Sequence, residues 1–148
     1  MISKTFVQLT QDEIYAIAKL RQDVFIVEQN SIYQDLDGLD QSAIHYLLKQ
    51  PQDQELLLGY GRVRAIESTK QIKIERIVLL KQARGKGFGK MMLQQMLADI
   101  NQSYAEFNIV LSSQTYACEF YRQLGFVEYG EPYDDGGIEH ISMLYTKS

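Results

Sequence analysis

Apolar positions along the chain change their period several times, and each change marks an element. Residues 3–9 read as a first strand. Thr10-Gln-Asp-Glu13 then has the spacing of a capping box, so a helix should follow with Ile14, Ile17, Ala18, Val24 and Phe25 on its apolar stripe. Arg21 interrupts that stripe, and a charge on a buried side needs a partner. After the turn-rich stretch NSIYQDLDGLDQ, the runs AIHYLLK and LLLGYGRVRAIE read as strands joined by a hairpin loop, QPQDQE. IKIERIVLL at 72–80 alternates at first and ends fully apolar, the pattern of a strand covered on both faces and therefore central in its sheet. Phe88, Met92, Leu93, Met96, Leu97 and Ile100 recur at helical spacing. FNIVLSS reads as another buried strand. In YACEFYRQLGF, Ala117, Phe120, Tyr121 and Leu124 form a short helical stripe that Gly125 can close. FVEYG and IEHISMLY finish the chain as two strands around the loop EPYDDGG. The order is that of a mixed α/β or α+β domain.

Composition narrows the class. The 148 residues, 45% of them apolar, suit one domain spanning 1–148, and no repeat, low-complexity stretch or linker divides it. No apolar run approaches the roughly 20 residues of a membrane span, and MISKTFVQLTQDE lacks the apolar stretch of a signal peptide, so a cytoplasmic location is expected. Cys118 is the single cysteine, which fits a reducing compartment and offers no metal site. The net charge of −4 argues against general nucleic-acid affinity. Its distribution says more: from Arg76 to Ala98 there is no acidic residue, while Arg76, Lys81, Arg84, Lys86 and Lys90 fall there. Acids gather instead around 28–40 and 131–139, where they either face solvent or attract a cationic amine.

The cationic zone centres on ARGKGFGK at 83–90. Counting excludes two familiar phosphate loops. A Walker A sequence ending at Gly89-Lys90 would need Gly at Arg84 and Ser/Thr at Met91, and the dinucleotide fingerprint begun at Gly85 and Gly87 would need Gly at Lys90. What remains is a glycine turn between a buried strand and a helix. Its unpaired amides, the helix dipole and flanking cations all favour an anion. The bland alternative is a strand-to-helix turn with solvated lysines.

Arg84-Gly-Lys-Gly-Phe-Gly89 matches R/Q-x-x-G-x-G/A, and here the chain resembles the GNAT-type N-acetyltransferase superfamily. Within it, LRQDVFIVEQ, YQDLDGLD, FYRQLGF and DDGGIEHISM are similar to the ElaA-like group. The resemblance implies a GNAT-like acyl-CoA acyltransferase fold, a central, mostly antiparallel, twisted sheet of about seven strands flanked by helices. It also implies acetyl-CoA as acyl donor and a small-molecule or peptide amine as acceptor, with no nucleic-acid or membrane partner. Ile77, Val78 and Leu79 would offer strand backbone to the pantetheine arm, and Arg84, Gly85, Lys86, Gly87, Phe88, Gly89 and Lys90 would take the pyrophosphate. Gln114 would contact the donor where the family often has Asn.

The implied reaction is direct attack of an amine on the thioester. Tyr121 matches the family's proton donor to the departing thiolate, with a core tyrosine as the alternative. Glu75, read on the same face as Ile77 and Leu79, is the candidate base; the alternative is a cross-strand partner of Arg62 or Arg64. Glu28, His45 and His140 are further candidates. A non-catalytic acyl-CoA-binding module and a cofactor-free interaction domain are the competing readings. The late hairpin also has the form to pair between chains as a homodimer.

Overall fold

The computed structural model describes residues 1–146. Seven strands form one sheet in the order β1-β2-β3-β4-β5-β7-β6. They span β1 Ile2–Thr5, β2 Ile44–Gln50, β3 Asp53–Ile66, β4 Gln71–Leu79, β5 Asn108–Gln114, β6 Phe126–Asp135 and β7 Ile138–Tyr145. Every pairing is antiparallel except β4 with β5. Three α-helices complete the fold: α1 Gln11–Arg21, α2 Phe88–Ser103 and α3 Cys118–Arg122.

The helices cover both faces of the sheet. Met92, Leu93, Met96 and Leu97 of α2 pack with Ile72 and Ile74 of β4 and Ile109 and Leu111 of β5. On the opposite face Ile17 and Leu20 of α1 lie with Leu47, Leu57, Tyr60 and Val78. Each such aliphatic side chain contributes about 1.5–3 kcal/mol through burial. The capping box starts α1 as expected, with the Glu13 amide donating to Thr10 Oγ1 at 3.1 Å and the Thr10 amide to Glu13 Oε1 at 2.8 Å. Glu13 also ties α1 to the sheet, because Lys4 of β1 and Lys49 of β2 both reach its carboxylate. The helix does not stop at Arg21: a π-helical turn, Gln22–Glu28, continues it and buries Val24.

Three elements differ from the sequence reading. β1 ends at Thr5, and residues 6–8 form a 3-10 turn whose start is held by the Thr5 amide on Gln8 Oε1. The loop between β2 and β3 shrinks to Pro51 and Gln52. β6 runs through EPYDD to Asp135, so its hairpin with β7 turns on Gly136 and Gly137 alone. Both glycines have positive φ, 65° and 85°, as a two-residue hairpin turn of matching twist requires. Pro132 is tolerated because β6 is an edge strand.

A further irregularity sits in β4. Tyr60 opposes Val78 and Arg62 opposes Glu75, so three steps on β4 match two on β3. The extra residue is a β-bulge at Arg76, which adopts φ 57°. A bulge reverses the alternation of side chains. Ile77 and Leu79 therefore join Ile72 and Ile74 on the α2 face, while Val78 lies on the α1 face.

Candidate active site

β4 and β5 pair from Gln71–Asn108 to Ile74–Leu111 and then part. Beyond that point β4 continues to Leu79 and β5 to Gln114, so the two strands diverge into a V. The space between them is a cleft of about 450 Å³, lined by β4 residues Glu75 to Leu79, Ser112 to Gln114 of β5, and Tyr121 of α3. Antiparallel pairing with β3 satisfies one side of β4. Among the described residues no strand pairs with its other side from Glu75 to Leu79, which leaves an open edge of main-chain donors and acceptors. An extended ligand can add there as a strand would.

The open edge leads into the glycine loop. Gly87 is the N-cap of α2, with φ 81° and no side-chain cap on the helix start. Gly85 also has positive φ, 75°, and a Cβ at either position would meet no atom within 4 Å. The amides of the first α2 turn have no side-chain cap and stand at the positive end of a 16-residue helix. Lys86 and Lys90 are exposed around it. Phe88 differs: its ring packs against the α2 core, leaving its main chain as its contribution to the loop. Arg84 bonds the Leu79 carbonyl through Nε at 3.2 Å, and its two terminal nitrogens pair with Glu28 at 2.7 and 3.0 Å. That pairing holds the Glu28 carboxyl below its usual range. Adjacent Gln29 accepts a hydrogen bond from Gln114 at 3.0 Å. The end of the π-helical turn thus reaches the glycine loop through Glu28 and β5 through the adjoining Gln29.

Tyr121 lies on the cleft wall with its ring edge-on to Phe120 and Phe126, at 5.1 and 5.9 Å between centroids. Its hydroxyl has no hydrogen-bond partner among the described residues. Burial pushes its proton affinity above the ordinary tyrosine value, so it is a protonated phenol at neutral pH.

The acids of YQDLDGLD are not solvated. Arg21 and Arg62, each 1% exposed, bind them from beneath: Arg21 reaches Asp35 and Asp40 at 2.8 Å, and Arg62 reaches Asp37 at 2.8 Å and Asp40 at 2.9 Å. Arg76, projected by the bulge, pairs with Asp35 and Asp37. Arg21 thereby finds the partner its place on the apolar stripe demanded. Burial disfavours the charge on Asp40, but hydrogen bonds from Arg21 and Arg62 outweigh it and keep the carboxyl ionised. The loop is fastened to the sheet, and its Tyr33 forms part of the cleft.

Glu75 belongs to the same network. Contrary to the simple alternation, the bulge puts it on the α1 face, opposite to Ile77 and Leu79. Arg62 contacts Glu75 Oε2, and Arg64 reaches Oε1 at 2.7 Å. Burial raises its proton affinity, yet the Arg64 and Arg62 bonds prevail and lower it. A carboxylate held this way is poorly suited to accept a proton. His45 is buried between the Tyr60 hydroxyl at 2.6 Å and the Asp40 carbonyl at 2.8 Å, away from the cleft. His140 lines the cleft, as do Ser112, Tyr33 and Asp135. Gln29, Tyr33 and Ser112 are cleft residues that the sequence does not mark singly, although the signature YQDLDGLD marks Tyr33's loop; Arg76 is legible as part of the cationic zone, but its pairing with Asp35 and Asp37 follows from a bulge that leaves no sequence signal.

A family model described as an acetyltransferase (GNAT) domain matches residues 6–147. ElaA of Escherichia coli is 30% identical over 138 residues, covering 92% of this chain and 89% of ElaA. Its crystal structure superposes with a TM-score of 0.90, covering 98% of this chain and 97% of that one. An acyl-CoA N-acyltransferase from Pseudomonas aeruginosa, 31% identical, covers 98% of both chains with a TM-score of 0.89. An aminoglycoside 6'-N-acetyltransferase complexed with coenzyme A has a TM-score of 0.71 over 97% of this chain and 96% of its own; at 16% identity the likeness is one of fold.

Proposed function

Because this chain belongs to the GNAT acetyltransferase family, in the group of ElaA, we propose that it is an acetyl-CoA-dependent N-acetyltransferase acting on a primary amine. The observation that carries this reading is the open edge of β4 from Glu75 to Leu79, running directly into an uncapped helix start. A pantetheine arm needs a strand edge and a diphosphate needs a cluster of free amides, and the two adjoin here in the required order. That an aminoglycoside acetyltransferase of the same fold is complexed with coenzyme A supports a coenzyme A thioester as donor.

The acyl donor supplies an activated thioester; this chain's residues bind, orient and exchange protons around it. Main-chain groups of Ile77, Val78 and Leu79 align the extended arm. Gly85, Gly87 and Gly89, with the amide of Phe88, surround the diphosphate, and Arg84, Lys86 and Lys90 neutralise it. Gln114 contacts the arm from the β5 side. Amides at the bulged end of β4 face the position where negative charge develops on the carbonyl oxygen. Tyr121 gives its proton to the departing sulfur; an amine attacking directly needs no covalent enzyme intermediate. Glu75 anchors Arg62 and Arg64, and Arg62 in turn holds the loop bearing Tyr33 through Asp37 and Asp40.

The test is thiol release from acetyl-CoA with putrescine, lysine, glycinamide and a short unblocked peptide as acceptors, with the product weighed by mass spectrometry. An acetylated amine formed in step with free thiol is expected. Donor binding without transfer to any of them would contradict amine acetylation. Tyr121→Phe should lower turnover about 100-fold or more with donor affinity retained, and unchanged turnover would sink the assigned role of Tyr121.

A further inference from the structure

His140 stands where the reaction needs a base. It lies on β7, opposite Gln114 of β5 and Tyr133 of β6, and lines the cleft beyond the point where β4 and β5 part. Its ring is fixed from two directions. Nδ1 lies 2.7 Å from the Ile138 carbonyl, and the ring stacks on Tyr133 with centroids 6.1 Å apart and planes 28° from parallel. Tyr133 is itself held by its hydroxyl contact to Ser112 Oγ. A carbonyl oxygen only accepts hydrogen bonds, so Nδ1 carries a hydrogen, and in the neutral ring the lone pair stands on Nε2. An imidazole oriented in this way is equipped to take a proton.

The other candidates are engaged. Glu75 has both oxygens on arginines, Glu28 is bound by Arg84, and His45 is closed between Tyr60 and Asp40. We infer that His140 is the general base of the reaction, receiving at Nε2 a proton from the acceptor amine. This rests on the proposed amine acetylation. His140 takes one proton from the ammonium and frees the nitrogen lone pair. The C–N bond then forms, the C–S bond breaks, and sulfur leaves with the bonding electrons and takes the Tyr121 proton. The second proton shed by nitrogen as the amide forms restores Tyr121, and His140 releases its own to solvent. The balance is one acetyl group moved and one proton released per ammonium acetylated.

His140→Asn is the informative variant, because its side-chain amide can still donate to the Ile138 carbonyl but has no basic nitrogen. Thiol release is measured for wild type and variant with the most reactive amine of the panel above and with methoxyamine, which is already a free base at neutral pH; coenzyme A affinity is measured by calorimetry. The expected result is a loss of about 100-fold or more in kcat/KM with the basic amine, a much smaller loss with methoxyamine, and unchanged coenzyme A affinity. Equal losses with both amines, or no loss with either, would overturn the role of His140 while leaving amine acetylation standing. Absence of transfer by the wild type to every amine would overturn both.

Discussion

Arg84 cannot serve a diphosphate without loosening its hold on Glu28. The pair is bidentate, at 2.7 and 3.0 Å, and exposed, with 38% and 39% of the two side chains accessible. Exposed ion pairs of this kind are worth about 0.2–1 kcal/mol, which sets the cost of replacing the carboxylate by a donor phosphate. Removing that competition with Glu28→Gln should therefore tighten coenzyme A binding by about 1.4- to 5-fold. The direction is the opposite of what a ligand-contacting residue would give. Calorimetry with coenzyme A on wild type, Glu28→Gln, Arg84→Gln and the double variant isolates the effect. Arg84→Gln should weaken binding, and Glu28→Gln should do nothing further in that background, because the partner it competes for is gone. Weaker binding in the single Glu28 variant, or the same gain with Arg84 absent, would refute the exchange.

Other consequences are equally specific. Gly87→Ala places a side chain at φ 81° with no atom within 4 Å, so stability should fall only by the strain of about 1–2 kcal/mol. Coenzyme A affinity should fall much further, and thermal melts beside calorimetry separate the two. Asp40→Asn removes the carboxylate shared by Arg21 and Arg62, which keep Asp35 and Asp37, and should cost about 1.5–3 kcal/mol, read as a drop in melting temperature of roughly 3–12 °C. Burial works against ionisation of Glu13, but hydrogen bonds from Lys49, the Thr10 amide and Lys4 overcome it and depress its pKa from 4.5 to about 2. A carboxyl depressed in the folded state stabilises above its unfolded pKa, here by at most about 3 kcal/mol, and loses that contribution as pH falls from 4.5 towards 2. The gap in urea midpoint between wild type and Glu13→Gln should therefore close over that range; a gap independent of pH would contradict it.

How far the sequence disclosed these features depended on whether the cause was local. The Thr10–Glu13 box and the α2 stripe are set by neighbours within two turns, and both stand where expected. The glycine loop was legible because positive φ at Gly85 and Gly87 is a property of single residues. In β6, Gly130, Pro132 and the acids after it resemble a loop; only their place at the sheet edge makes them acceptable in a strand. Arg21 announced a need for a partner, but the choice of Asp35 and Asp40 comes from tertiary packing. The bulge at Arg76 had no local sign at all. It sets Glu75 opposite to Ile77 and Leu79 and towards Arg62 and Arg64, a placement that strict period-two alternation does not foresee.

The central claim is that the V between β4 and β5, with the α2 N-terminus at its mouth, is an acetyl-CoA site. Titrating acetyl-CoA into the purified wild-type chain in a calorimeter tests it most directly. Saturable binding at one site per chain, weakened by Arg84→Gln and by Gly87→Ala, is the predicted result. No saturable heat at a large excess of acetyl-CoA, or binding indifferent to both substitutions, would contradict it.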